Sequence, residues 1–589
     1  MHEAGMRYHW WFADGGDKDG PACRDLSRGL GVHPLIGLLL LRRGHDQVEE
    51  AKAFLNPKLT DLHDPADFPG IGRAVERLHR AVREGQRIVI YGDYDVDGIT
   101  ASAILWHVLR HVGANVHNYL PHRLEEGYGL NNDAVAQLAR DNDVIVSVDC
   151  GITAVEQARV VKDAGAELII TDHHELPSGE LPDAYAIVHP HLADGDSGQP
   201  YPFAYLCGAG VAFKLAWQFA KVFYASERVP KSCRDLLMDL LSLVALGTVA
   251  DVVPLVGENR VITTFGLGQI KRTRFVGLNA MIDATGLQEK KVDAFHVGFV
   301  LAPRLNACGR MGHAGRALHL LTGAAEDETA DLAAFLHDEN QRRRETERHI
   351  FKQAQKMLID GGYDGDENRG IVLCDPDWHA GVLGIVASRL VETYARPVIL
   401  LSQSNGEAHG SARSVERVQL HKAISHCGHL LNSFGGHAMA AGLRLDADKV
   451  DQFRVAFTEY VNGLLTAQDL VASIDVDACC TLEDMSLELI EQILRLAPFG
   501  RGNASPLLCL RGASLDRPAQ RVGSDSSHLR LTLRQGRRIV NAIGFGLGHL
   551  ADDLVAGMQL DVLFEPKLST WQGRLRGEYH IKDLKPTGN

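Results

Sequence analysis

At 589 residues the chain exceeds what one hydrophobic core can fill, so about three or four domains are expected. Hydrophobic residues make up 45% and charged residues 23%, which excludes a disordered or fibrous protein, and the ten cysteines form no CxxC pair, which argues against zinc sites and disulfide frameworks. The net charge of −14 runs against a nucleic-acid partner, but Arg501 to Asn589 holds 13 Lys and Arg against 8 Asp and Glu, a local +5 that leaves −19 for the rest.

Residues 1–30 show neither a basic n-region nor a small-residue cleavage site. The apolar run Leu35 to Leu41 stops at Arg42 and Arg43, far short of the ~20 residues of a membrane span. It reads as a buried helical turn, and a cytoplasmic protein without membrane association is expected. From 87 to about 256, apolar runs of strand length alternate with helical stretches, the pattern of a parallel α/β sheet. Arg87 to Tyr91 leads into Asp93, Asp143 to Val148 into Asp149, and Glu167 to Thr171 into Asp172-His173-His174. Ligands of open α/β sheets bind outside the carboxyl ends of the strands, so three acid-ended strands would converge on one site.

From about 326 to 359, helical spacing without Gly or Pro predicts a long connecting helix. A second α/β pattern runs from about 370 to 445. After about 470, strands alternate by twos, as in Leu529 to Leu533 and, past Gln535-Gly536, Ile539 to Ile543, which fits a small β-barrel.

Asp93-Tyr-Asp95-Val-Asp97-Gly98 sets three carboxylates at alternate positions of a strand-to-helix loop, where a divalent cation would offset their repulsion. An EF-hand is excluded, since its twelfth position is Ile104 and the preceding segment is a strand. A solvated acidic turn is the bland alternative. His173 and His174 read either as ligands or as cap and core residues; Asp149 reads either as a ligand or as a helix N-cap. Asp251 ends the apolar run 241–250 and needs a partner if buried. Together these residues form a carboxylate and imidazole set suited to Mn²⁺ or Mg²⁺ at a pair of sites, and hence to phosphoester hydrolysis.

In this order, Asp93-Tyr-Asp-Val-Asp-Gly, Asp149, Asp172-His-His and Asp251 resemble the four motifs of the DHH phosphoesterases. Pro303-Arg304-Leu-Asn306-Ala-Cys-Gly-Arg310, Trp378-His379-Ala-Gly, Gly410-Ser411-Ala-Arg413-Ser414, Phe434-Gly-Gly-His437 and Pro498-Phe-Gly-Arg-Gly-Asn503 narrow the resemblance to the RecJ family, over all but the first thirty residues. Ala302 and Cys308 depart from it, where the family more often has glycine and alanine. The resemblance implies a DHH parallel-sheet domain joined by a long helix to a DHH-associated α/β domain, with a C-terminal OB-fold barrel. The boundaries expected are 1–70 for an N-terminal segment packing on the core, 71–265 for the catalytic domain, 266–360 for the helical connector, 361–465 for the associated domain and 466–589 for the nucleic-acid-binding barrel.

It further implies a two-metal, 5′-to-3′ exonuclease specific for single-stranded DNA, acting in repair and recombination. Asp93, Asp95, Asp97, Asp149, His173, His174 and Asp251 would hold two divalent cations, with His174, Asp149 and Asp97 closest to the chemistry. Arg123, Ser411 and Arg413 would bind the 5′-phosphate, Tyr128 would stack nearby, and Arg304, Asn306, Arg310, His379, Ser414 and His437 complete the expected substrate contacts. Residues 410–414 are read as a glycine-led turn around Arg413. For Arg123 and Arg304 the alternative is a structural salt bridge, and for Gly435-Gly436-His437 a close backbone approach. Arg342, Arg343 and Arg344 read as a solvated helix face paired with Glu345 and Glu347. Implied partners are single-stranded DNA with a 5′ end, single-stranded-DNA-binding protein and a helicase, the chain itself being a monomer. The alternatives are a DHH oligoribonuclease or cyclic-dinucleotide phosphodiesterase, and a non-catalytic nucleic-acid-binding scaffold.

Overall fold

A computed structural model describes residues 2–12, 18–123, 125–193 and 198–588. The chain divides into two compact units, residues 1–55, 344–497 and 505–589 in one, 56–343 and 498–504 in the other.

The second unit is built on a five-stranded parallel sheet. In spatial order its strands are Asn115–Tyr119, Arg87–Gly92, Val144–Val148, Glu167–Thr171 and Ala186–Val188. Alternate side chains serve opposite faces, as the pleat requires. Ile88, Ile90, Val144, Val146 and Val148 join the core under helices Ile71–Glu84, Val96–His111, Gly208–Phe223 and Lys231–Ala250, while Val89, Tyr91, Ile145 and Ile170 pack beneath Asn132–Asp141 and Val155–Asp163. Burial on both faces explains why these strands read as continuous apolar runs. The strand order reverses between Arg87–Gly92 and Val144–Val148, and at that switch point the carboxyl ends of two strands open a crevice.

In the first unit, a mixed sheet runs Ser433–Gly436, Ala440–Asp446, Glu407–Arg413, Val398–Ser404, Ile371–Asp375, with only the last two parallel. The segment expected to be a turn, 410–414, is mostly strand: residues 410–413 pair with 398–401 on one side and 440–443 on the other. Its glycine is needed because a Cβ on Gly410 would stand 2.0 Å from the Leu400 carbonyl oxygen, not because the chain turns. The C-terminal strands Leu508–Leu515, Gln559–Trp571, Arg574–Pro586, Arg538–Gly544 and His528–Gln535 follow one another, and a further pairing of the last with the first closes a five-stranded barrel.

Residues expected as one N-terminal segment divide between the units at 55. His9–Phe12 pairs in parallel with Ser473–Val476, and Trp10 is fully buried against Val476, Leu507, Cys509 and Leu563. The connecting helix spans Thr329–Asp360, 32 residues, or about 48 Å at 1.5 Å per residue. On this helix Arg342 also bonds Glu339 at 3.0 Å, and Glu347 pairs with Arg389. Among the described residues no helix is long and apolar enough to cross a membrane.

Candidate metal centre

Each acid-ended strand delivers its carboxylate by a distinct local device. Asp95 caps helix Val96–His111, its Oδ1 accepting from the backbone of Asp97 at 2.9 Å and Gly98 at 3.2 Å. Asp97 lies in the first turn of that helix and is held by the start of another: Gly208 and Ala209 donate backbone N–H to its two oxygens at 2.6 and 2.8 Å. Position 208 must be glycine, because a Cβ there would stand 2.6 Å from the Asp149 side chain. Asp149 does not cap a helix. It sits at φ +61°, a strained left-handed conformation for a non-glycine residue, and such strain persists at sites where the surroundings enforce it. Asp251 follows helix Lys231–Ala250, and Val252 after it is likewise left-handed at φ +59°.

These devices bring all seven expected ligands into one cluster. The Nε2 of His173 lies 3.1 Å from an Asp149 oxygen and 3.7 Å from oxygens of both Asp97 and Asp251. Three overlapping groups, Asp149/His173/His174, Asp97/His173/Asp251 and Asp93/Asp95/Asp149, each have donor atoms within 4.8 Å of one another. Among the described residues, buried Asp93 Oδ1, Asp149 Oδ1 and His173 Nε2 have no hydrogen-bond partner, a costly state for polar atoms out of water. Burial, and the neighbouring carboxylates next, push Asp93 and Asp251 up to about 8, raise Asp95, and raise Asp149 well above the usual carboxylate range. Such crowding calls for cations, and mixed carboxylate and imidazole donors suit hard to borderline divalent ions.

Asp172, absent from the expected ligands, has a different task. Its Oδ2 accepts from the Ile152 backbone at 2.9 Å. Its Oδ1 accepts from the His173 backbone at 2.7 Å and lies 2.7 Å from His174 Nδ1. Burial would lower the His174 pKa, yet the Asp172 hydrogen bond raises it to about 9; the same bond overcomes burial to hold Asp172 near 2. The aspartate thus orients one imidazole. On the far side, Tyr128 hydroxyl lies 3.0 Å from His174 Nε2, and His189 Nε2 sits 2.8 Å from the His174 carbonyl oxygen.

The other expected contacts separate by unit. With the cluster lie Arg123, its guanidinium 4.8 Å from the Tyr94 ring centroid; exposed Tyr128; and the helix Ala302–Arg310. Arg304 bonds the Val300 carbonyl at 2.6 Å and meets His337 at 3.2 Å. Asn306 accepts from the Val96 backbone at 3.1 Å, fastening the acidic loop rather than facing outward. Arg310 is half-buried and its charge reaches Tyr94. In the other unit, Ser411 and Arg413 share one face of their strand, with Arg413 Nη1 donating to Ser411 Oγ at 3.0 Å. Ser414 is buried and donates its hydroxyl to the Val418 carbonyl at 2.6 Å, turned into its own loop. His379 caps helix Ala380–Tyr394 by accepting from the Gly381 N–H, and exposed His437 follows Gly436 at φ +140°.

The DHH family N-terminal domain matches residues 87–248, the DHHA1 domain 367–463 and the RecJ OB domain 476–583. A single-stranded-DNA-specific exonuclease RecJ of Bacillus subtilis is 38% identical over 563 residues, covering 95% of this chain and 69% of its own. The chain belongs to the RecJ family. Thermus thermophilus RecJ in complex with Mn²⁺ superposes with a TM-score of 0.82 at 31% identity, covering 98% of this chain and 80% of that one. RecJ from the same organism in complex with Mg²⁺ gives a TM-score of 0.74 at 29% identity, with coverages of 98% and 79%. The RecJ fold, a DHH sheet with DHHA1 and OB domains, is therefore that expected from the motifs.

Proposed function

We propose that this chain is a 5′-to-3′ exonuclease that hydrolyses phosphodiester bonds of single-stranded DNA with two divalent cations, Mn²⁺ or Mg²⁺, in the cytoplasm. The observation that carries the reading is His173 Nε2 facing carboxylates from three separate segments, with buried donor atoms left unsatisfied. Asp93, Asp95, Asp97, Asp149, His173, His174 and Asp251 would hold the ions, which when bound supply the Lewis acidity that activates water and neutralises phosphate charge. The chain's own part is positioning. Gly208 and Ala209 immobilise Asp97, Asn306 anchors the acidic loop, and Asp172, 2.7 Å from Nδ1, holds the His174 ring in place beside Asp149 and His173.

Arg123 and Tyr128 lie on the same unit as the cluster and suit a terminal phosphate and a stacked base. Ser411 and Arg413, side by side on one strand, form a second group able to hold phosphate. The closed C-terminal barrel, with 12 Lys and Arg against 8 Asp and Glu over residues 505–589, a charge of +4, supports a grip on a longer single strand. Single-stranded-DNA-binding protein and a helicase fit as partners because they expose and present such a strand to a monomeric nuclease.

End-labelled single-stranded and duplex oligonucleotides, incubated with and without Mn²⁺, test this directly. Mononucleotides should leave the 5′ end of the single strand in the presence of the ion alone, and Asp149→Ala should abolish their release while leaving strand binding close to that of the parent. Release from the 3′ end, turnover without a divalent ion, or normal turnover by Asp149→Ala would each overturn the reading.

A further inference from the structure

The PFGRGN motif lies where the C-terminal barrel begins in sequence, yet residues 498–504 belong to the catalytic unit, although both flanking stretches belong to the other. Several contacts fix this excursion. The Leu255 N–H donates to the Arg501 carbonyl at 2.8 Å, and Gly500 and Asn503 exchange backbone hydrogen bonds at 2.9 and 3.2 Å. The buried Asn503 amide donates to the Pro498 carbonyl at 2.8 Å. A Cβ on Gly500 would stand 2.7 Å from Leu255 and one on Gly502 3.0 Å from Pro254, so the turn lies flat on the segment that follows Asp251.

Arg501 is at the tip of this turn. Its side chain is exposed, and among the described residues it forms no ion pair within 4.0 Å. The turn that carries it packs on Pro254 and Leu255, the segment that leaves Asp251, so the guanidinium is presented beside the stretch that supplies this ligand. A cation set on a rigid turn beside carboxylates, without being neutralised by them, remains available to an incoming anion, and the fork of an arginine matches phosphate oxygens.

We propose that Arg501 contacts a phosphate of the substrate strand at the Asp251 edge of the metal centre, as a substrate-binding residue supplied by the junction ahead of the C-terminal barrel. This deepens the nuclease reading and rests on it. The test uses full-length Arg501→Ala and Arg501→Lys, each also in an Asp149→Ala background. Affinity for a 5′-phosphorylated single strand is followed by fluorescence anisotropy across a salt series, and turnover is measured in Mn²⁺ without the background substitution. Losing one charge-assisted contact should weaken binding about 10- to 100-fold and flatten the slope of log K against log salt by about 0.7, the share of one single-strand phosphate. Arg501→Lys should keep the slope and recover only part of the turnover. A parental slope in Arg501→Ala overturns the proposal, including the case where that variant melts earlier and loses turnover for structural reasons. If the parent binds the strand and the slope flattens in Arg501→Ala, but no hydrolysis is seen in any protein, the contact stands and the nuclease reading is what fails.

Discussion

Both carboxylate oxygens of Asp172 point inward, one to the Ile152 amide and one to the backbone and ring at His173 and His174. A single side chain therefore sets the direction of an imidazole. Replacing it with asparagine removes the charge and keeps the volume. Asp172→Asn should lower the single-turnover rate about 10- to 100-fold, the usual effect of losing a partner that orients a site imidazole, with strand affinity near the parental value; a parental rate would show that His174 needs no such support. The motif Asp-His-His names these three residues in the sequence but not which way each one turns, and so Asp172 was not among the expected ligands or supports. Ser414 shows the same limit: its buried hydroxyl bonds the Val418 carbonyl within its own loop, something spacing alone does not reveal.

At the scale of elements, the catalytic sheet was legible because doubly buried strands leave apolar runs, and because each run ends in an acid whose position a strand end dictates. The strand at 410–413 was not, since Gly, Ser and Ala there resemble turn residues and the reason for the glycine is the proximity of the neighbouring strand. The polar clasp beneath the catalytic helices was equally invisible. Glu258, buried on helix Gly257–Gln269, accepts from Lys214 Nζ at 2.5 Å, the Tyr201 hydroxyl at 2.8 Å and the His63 N–H at 2.9 Å. Burial lowers the Lys214 pKa against the pull of Glu258. Glu258→Ala strands a buried cation and should cost about 3–5 kcal/mol, read as a lower denaturation midpoint with unchanged slope; a loss below 1 kcal/mol would mean that water reaches Lys214.

Across the whole molecule, sequence neighbours are parted and distant segments joined. Glu3 accepts from Arg511 at 2.7 and 2.8 Å and from Lys585 at 2.7 Å, tying strand His2–Ala4 to the barrel. The Arg511 bond is the main reason the Glu3 pKa falls from 4.5 to about 2. A depressed carboxyl adds stability that is complete above pH 4.5 and disappears as the pH falls toward 2. Glu3→Gln should therefore melt below the parent at pH 7, with the gap closing across that acid window; equal melting at pH 7 would refute the tie. Truncation after Leu470 is a poor test of DNA binding by the barrel, because it also takes Ser473–Val476 from His9–Phe12 and Arg501 from Leu255. The truncated chain should melt earlier and lose turnover even on short oligonucleotides, where the barrel has little strand to hold. Retained melting temperature and short-substrate turnover would show that the catalytic unit is complete without residues 498–504.

Trp10 meets its strand partner Ile474 across 464 positions. At about 5–20 residues per second, a ribosome needs roughly 25–90 s to make that stretch, during which the emerging amino terminus carries a bare tryptophan and an unmatched strand edge. The strand His9–Phe12 is therefore among the last parts of the protein to find its place.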